Sequence, residues 1–194
     1  MTTPFFSVIT PTIQRESLVR CCKSVDAQTC DRWEHIVVAD ASQEDYVLWD
    51  MWQIRDQKRL LMRSPRPTRQ WGNFQRHLAW EWATGEWVIF CDDDNRLADD
   101  HVLEDMAAVL QGIEEQWAIF PIMRHGRHFF HDPPGLCFTD TLNLCVRREV
   151  ARWPNIAARE ADGHFCDELK AKYPYKAFPD FRPIGVMEQS SNGV

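Results

Sequence analysis

The residues best suited to chemistry in this chain are acids. Asp92, Asp93, Asp94 and Asn95 follow one another directly, and three adjacent carboxylates repel one another unless a cation is near. Hard carboxylate oxygens suit Mg2+ or Mn2+, which are commonly shared with substrate phosphates. A solvated polar turn is the plain alternative for so short a run. Asp40 follows the apolar stretch HIVVA, and Asp162, with Glu160 two residues before it, stands near the start of a later helical segment. An aspartate there also makes a good helix N-cap. His125, His128 and His131 recur at spacing three, which on a helix would suggest Zn2+. Gly126, Pro133 and Pro134 argue for a loop instead, and no Cys stands at ligand spacing. Arg63, Arg66, Arg69 and Arg76 surround a Pro-rich loop, either gripping an anionic group through forked donors or solvated.

These groups need a scaffold, and the apolar pattern supplies one. Residues 5–10 (FFSVIT), 35–39 (HIVVA), 59–62 and 86–91 (EWVIFC) are short, mostly apolar runs that read as buried strands. Helical spacing marks residues 17–28, 46–55 and 72–84, with Gly85 placed to end the third. The clearest helix is 99–116, where Val102, Leu103, Met106, Val109, Leu110 and Ile113 line one face. Strand and helix thus alternate through residue 123, which predicts a mostly parallel sheet covered by helices on both faces. The second half is less regular: 125–134 reads as a loop, 136–146 as a strand and 160–172 as a helix. Asp40 and the Asp92 run then lie at carboxyl ends of strands, where open α/β sheets bind ligands. Among the tryptophans, Trp87 reads as core, while Trp71 beside the Pro- and Arg-rich loop is placed to stack on a sugar or base.

Composition narrows the classes further. A length of 194 residues predicts one domain, and 44% apolar with 26% charged residues is ordinary for a globular chain. The net charge of −7 gives no general attraction to nucleic acid or anionic lipid, so any phosphate must be met by local basic groups or a metal. No run approaches the roughly 20 apolar residues of a membrane span, which predicts no integral membrane segment. Seven cysteines without a C-x-x-C pair suggest reduced thiols and a cytoplasmic protein. There is no P-loop or G-x-G-x-x-G fingerprint, and with only eight glycines a glycine-cradled phosphate is disfavoured while a metal-held one is not.

The segments SVITPTIQR (7–15), HIVVADAS (35–42) and HLAWEWATGEWVIFCDDDN (77–95), in this order and spacing, resemble the family 2 glycosyltransferases of the GT-A fold. The resemblance covers residues 5–116 well and is looser beyond. It implies a single GT-A domain over 1–194, with a nucleotide-sugar-binding half (1–95) and an acceptor-side half (96–194). It also implies transfer of a sugar, hexosyltransferase style, from a nucleotide diphosphate sugar (UDP-linked) to a glycan or other hydroxyl acceptor. The reaction would be a metal-dependent, inverting single displacement. By position, Pro11, Thr12 and Arg15 would lie against the nucleotide and Asp40 would accept from the base. Asp94 would hold Mn2+ or Mg2+, with Asp92 or Asp93 on ribose or metal. Asp162 would be the base that deprotonates the acceptor, although Ala161 stands where the family more often has Glu; Glu160 and Asp140 are the substitutes. His164 would then lie near acceptor, diphosphate or metal. The chain lacks the Q-x-x-R-W motif and membrane helices of processive synthases, which favours single transfers. The alternatives are a non-catalytic nucleotide-sugar or carbohydrate-binding module, and a nucleotidyltransferase, for whose Gly-rich basic loop PTIQR is a poor match.

Overall fold

The computed structural model describes residues 3–41, 58–68, 70–136 and 138–187. The helix expected over 46–55 and the side chain of Arg69 lie outside them. In chain order the elements are β1 (Phe6–Thr12), α1 (Ser17–Asp26), β2 (Trp33–Ala39), β3 (Arg59–Arg63), α2 (Asn73–Trp82), β4 (Trp87–Phe90), β5 (Asn95–Leu97) and α3 (Val102–Leu110). Then come β6 (Trp117–Ile119), β7 (Ile122–Arg124), β8 (Arg127–Phe129), a 3-10 turn (Thr141–Asn143), β9 (Leu144–Arg147), α4 (Ala161–Lys172), β10 (Tyr175–Ala177) and β11 (Gly185–Met187).

A seven-stranded sheet in the order β10-β6-β9-β4-β1-β2-β3 forms the centre. Its four strands β4, β1, β2 and β3 run parallel, and β9 alone runs against its neighbours β4 and β6. The expected mostly parallel sheet is present. Period-two alternation divides its buried side chains between two helix layers. Val8, Trp87 and Ile89 face one way, among Cys21 and Val25 of α1 and Leu103 and Met106 of α3. Ile9, Val88 and Phe90 face the other, among Ala79 of α2 and Phe165 and Leu169 of α4. Trimming Ile89 or Phe90 to Ala would cost about 2–5 kcal/mol in such a core.

A buried polar chain ties the strands together just below the site. Arg59 donates from Nε to Nδ1 of His35 at 3.1 Å, so the His35 proton sits on Nε2 and is donated to Thr10 Oγ1 at 2.9 Å. Thr10 in turn donates to the Cys91 carbonyl at 2.7 Å. Burial and the adjacent Arg59 cation hold His35 well below its ordinary pKa, which keeps the ring neutral and this relay fixed. The last residue before Asp92 is thereby anchored to β1.

Several expectations are corrected beyond this frame. The helix over 99–116 is only Val102–Leu110: Gln111 is extended and Gly112 sits at φ +92, ending it a turn and a half early. The strand over 136–146 shrinks to Leu144–Arg147, because Asp140 and Asn143 form a reciprocal capping box that winds the 3-10 turn instead. The loop over 125–134 contains β8, which pairs antiparallel with β7 across a two-residue turn of His125 (φ +50) and Gly126 (φ +75). Unforeseen altogether is a second sheet, β5-β11-β7-β8, built from three-residue strands.

Candidate functional site

The carboxyl ends of β1, β2 and β4 meet, and each carries an acid or its partner. The acidic run forms a turn closed by Asn95 N donating to the Asp92 carbonyl at 2.9 Å, and β5 begins there. Its three side chains take different partners. Asp93 points inward and accepts from Thr12 Oγ1 at 2.6 Å, from Ile13 N at 3.2 Å and from Arg15 Nη1 at 3.1 Å. Asp94 lies nearer the surface and accepts from the same Arg15 Nη1 at 2.6 Å. Asp92 turns toward α2, where Arg76 Nη2 meets it at 2.5 Å.

Burial dominates the electrostatics of this turn. Desolvation pushes the Asp93 carboxyl up to about 6, against the opposing pull of Arg15 and the Thr12 hydrogen bond. Asp94 is also raised, by desolvation and by the charge of Asp92, with Arg15 again opposing. Each carboxylate thus sits where additional positive charge is favourable.

Asp40 closes the neighbouring strand end. Its backbone N donates to the Thr12 carbonyl at 2.8 Å, and its carboxylate accepts from Thr68 N at 3.2 Å, Thr68 Oγ1 at 2.5 Å and Gln75 Nε2 at 2.9 Å. Pro11, Thr12 and Arg15 therefore share one surface with Asp40 and the acidic turn, as their order along the chain requires. Residue 72 must be glycine there: at φ +80 its backbone passes so close to Pro11 that a Cβ would stand 2.8 Å from the proline ring.

Arg76 is the residue that sequence reasoning undervalued. Its side chain is 5% exposed, stacks over the Trp153 ring at 4.9 Å and donates to the Trp71 carbonyl at 3.0 Å as well as to Asp92. The signal was available in the helix period: position 76 lies three after Asn73 and three before Ala79, all on the buried face of α2. Gln75, four before Ala79, shares that buried face, whereas Thr68 carried no comparable signal.

Across from the acidic turn lie Asp140 and Asp162. Asp162, in the first turn of α4, accepts from Gly163 N at 2.8 Å, and desolvation raises its pKa while the Arg76 charge opposes and Asp92 reinforces the rise. Asp140 accepts from Leu142 N at 3.0 Å and is pushed up to about 6, first by burial and then by Asp92, with Asp162 adding to it. Asp92, Asp140 and Asp162 therefore feel one another's charge. Glu160 is exposed, as are His125, His128, His131 and His164, and His131 packs its ring 4.5 Å from that of Phe138. The structure does not gather those histidines with the acids. Among the described residues no three His, Cys, Asp or Glu side chains converge as ligands. A hard cation bound through one or two carboxylates and substrate phosphates needs no third protein ligand, and the donor chemistry of Asp92 and Asp94 fits one.

A family model described as glycosyl transferase family 2 matches residues 7–166. Among solved structures, S. aureus TarS 1-349 in complex with UDP-GlcNAc superposes with a TM-score of 0.79 at 17% identity, over 97% of this chain and 59% of that one. The mannosyltransferase PcManGT from Pyrobaculum calidifontis, in complex with GDP-Man and Mn2+, superposes with a TM-score of 0.72 at 17% identity, over 100% of this chain and 59% of that one. The chain thus spans about three fifths of the length of these structures, and the likeness is one of fold. No curated protein matches. Among the described residues no helix is long and apolar enough to cross a membrane.

Proposed function

Because the chain belongs to glycosyl transferase family 2 and has the GT-A fold, we propose that it moves a hexosyl unit from a UDP-linked sugar to an acceptor hydroxyl by a single inverting displacement. The observation that carries this reading is the meeting of three strand ends, bearing Thr12, Asp40 and the Asp92, Asp93 and Asp94 turn, opposite a raised carboxylate at Asp162. The two acidic groups have distinct tasks to perform on opposite sides of the anomeric carbon.

On the donor side, Pro11, Thr12, Arg15 and Asp40 would line the nucleotide, with the Asp40 carboxylate offered to the base. Asp93 is so thoroughly hydrogen-bonded that we give it a positioning role, holding Arg15 and the β1 exit. Asp94 and Asp92 would hold Mn2+ or Mg2+. When bound, the cation neutralises the charge that grows on the departing diphosphate. Arg15 supplies a second cation at that edge, and its side chain is 43% exposed, open to a phosphate.

On the acceptor side, Asp162 would take the hydroxyl proton as the oxygen attacks the anomeric carbon. A carboxylate raised toward the working pH is a stronger base than a solvated one. The Gly163 N–H and the Arg76 charge oppose that rise. Orientation of the two substrates between these groups provides much of the remaining acceleration. The six described cysteines are all unbridged, Cys21 and Cys91 included at 3.7 Å, which supports a reducing, cytoplasmic setting.

A screen of nucleotide sugars with Mn2+, read by release of nucleoside diphosphate with and without hydroxyl acceptors, tests the proposal. Acceptor-stimulated release is expected. Binding of nucleotide sugar without any release would make the chain a binding module, and release of sugar 1-phosphate, with the nucleoside monophosphate passed to the acceptor, would make it a nucleotidyltransferase.

A further inference from the structure

Residues 70–73 form a turn in which Asn73 N donates to the Gln70 carbonyl at 2.9 Å and both central residues have positive φ, +49 at Trp71 and +80 at Gly72. Glycine suits its position. Tryptophan does not: Asn, Asp or Gly are the residues this geometry favours, and a bulky side chain in the left-handed region is strained. Core packing does not repay that strain, since Trp71 is 59% exposed. The contrast with His125 is instructive, because there the first turn position holds a residue type that tolerates the conformation.

The turn is also fixed in place with respect to the acids. The Trp71 carbonyl accepts from Arg76 Nη1, and Arg76 Nη2 holds Asp92. Gly72 rests on Pro11 at the end of β1. The segment 68–76 runs from Asp40, which Thr68 and Gln75 grip, to Asp92, which Arg76 grips. It therefore spans the two acids assigned to the base end and the diphosphate end of the donor. Trp71 is the large exposed apolar side chain on that span.

Resting on the glycosyltransferase reading above, we propose that Trp71 is a stacking platform for the base of the donor nucleotide. An aromatic face recognises any flat base and excludes water from one side of it. The hydrogen bond from Arg76 to the Trp71 carbonyl makes the platform and the Asp92 ion pair one rigid unit.

Titration calorimetry with UDP and, separately, inorganic pyrophosphate, both with Mn2+, tests this. Trp71→Asn and Trp71→Gly give the turn the residues it favours, so both should melt at or above the wild-type temperature while binding UDP about 10- to 100-fold more weakly. Trp71→Phe should keep affinity within a few-fold. Pyrophosphate affinity should be unchanged in all three, and Trp82→Ala, which removes an equally exposed tryptophan at the far end of α2, should bind UDP normally. Unchanged UDP affinity in Trp71→Asn overturns the proposal. So does an equal loss for UDP and pyrophosphate, which would trace the effect to Arg76 and Asp92. Wild-type protein that binds neither UDP nor any other nucleoside diphosphate would overturn the function reading itself, and the platform with it.

Discussion

In the reading proposed above, the acids of the donor side and those of the acceptor side are held by different partners. On the donor side every carboxylate of the acidic turn is met by an arginine: Asp92 by Arg76, Asp93 and Asp94 by Arg15. On the acceptor side Asp140 and Asp162 have no ion pair among the described residues and accept from backbone N–H groups instead. Burial raises the carboxyls on both sides, Asp93 and Asp140 alike up to about 6, so what separates the two is the fixed positive charge in contact with the acidic turn. The acceptor side sets a raised carboxyl amid backbone donors with no guanidinium in contact among the described residues, leaving it free to meet a substrate hydroxyl. A displacement reaction needs both, one to receive a growing negative charge and one to take a proton.

The largest test of that contrast is Asp162→Asn. Removing the base while keeping the shape should lower kcat about 10²- to 10⁴-fold, with donor affinity by calorimetry unchanged. Full turnover in this variant would remove Asp162 from the chemistry and leave Asp140 as the proton acceptor. Asp94→Ala should act on the other side of the divide. Here the expected outcome is a loss of Mn2+-stimulated donor binding on the order of 10²-fold, the scale seen when a charge-stabilising contact is removed. If Asp94→Ala bound donor normally yet turned over slowly, the two halves would not divide the work as described.

What the sequence made legible follows the same division. The first half announces itself because β1, β2 and β4 are buried on both faces, so apolar runs end abruptly at Asp40 and Asp92. The side chains that hold those acids are harder to read. Arg76 looked like one more arginine around a loop, and only its place on the inner face of α2 separates it from solvated neighbours. The acceptor half hid more, because three-residue strands such as β5 and β11 are too short to show a period. The single aspartate at 140, which reads as polar punctuation inside an apolar stretch, redirects that stretch from strand to 3-10 turn.

Asp140 allows a smaller, thermodynamic test of the contrast. Its folded pKa of about 6 lies above the ordinary 3.8, so the folded state binds a proton that the unfolded chain releases first. The associated stability is complete below about pH 4 and is lost as pH rises through 6. Asp140→Asn keeps the capping oxygen and removes the charge. It should therefore match wild type at pH 4 and exceed it at pH 8 by about 3 kcal/mol, or roughly 6–12 °C in Tm for a chain of this size. Equal melting temperatures at both values would mean that ionising Asp140 costs the fold nothing.

The smallest effect belongs to the β7-β8 hairpin, and it decides whether the acceptor half holds working groups beyond Asp140 and Asp162. His125 occupies the first position of a two-residue turn that favours Asn before Gly, and no ion pair or hydrogen bond holds its ring among the described residues. His125→Asn should then raise stability by a few tenths of a kcal/mol, about 1 °C in Tm, because the turn gains a residue better suited to positive φ. Transfer rates should not move, since His125 is not among the groups whose charge shifts Asp140 or Asp162. A fall in kcat/KM with a given acceptor, at unchanged donor affinity, would instead place the hairpin tip against that acceptor. The acceptor half would then bind its substrate through exposed imidazole and deprotonate it through buried carboxylate, a division of labour within that half like the one between the halves.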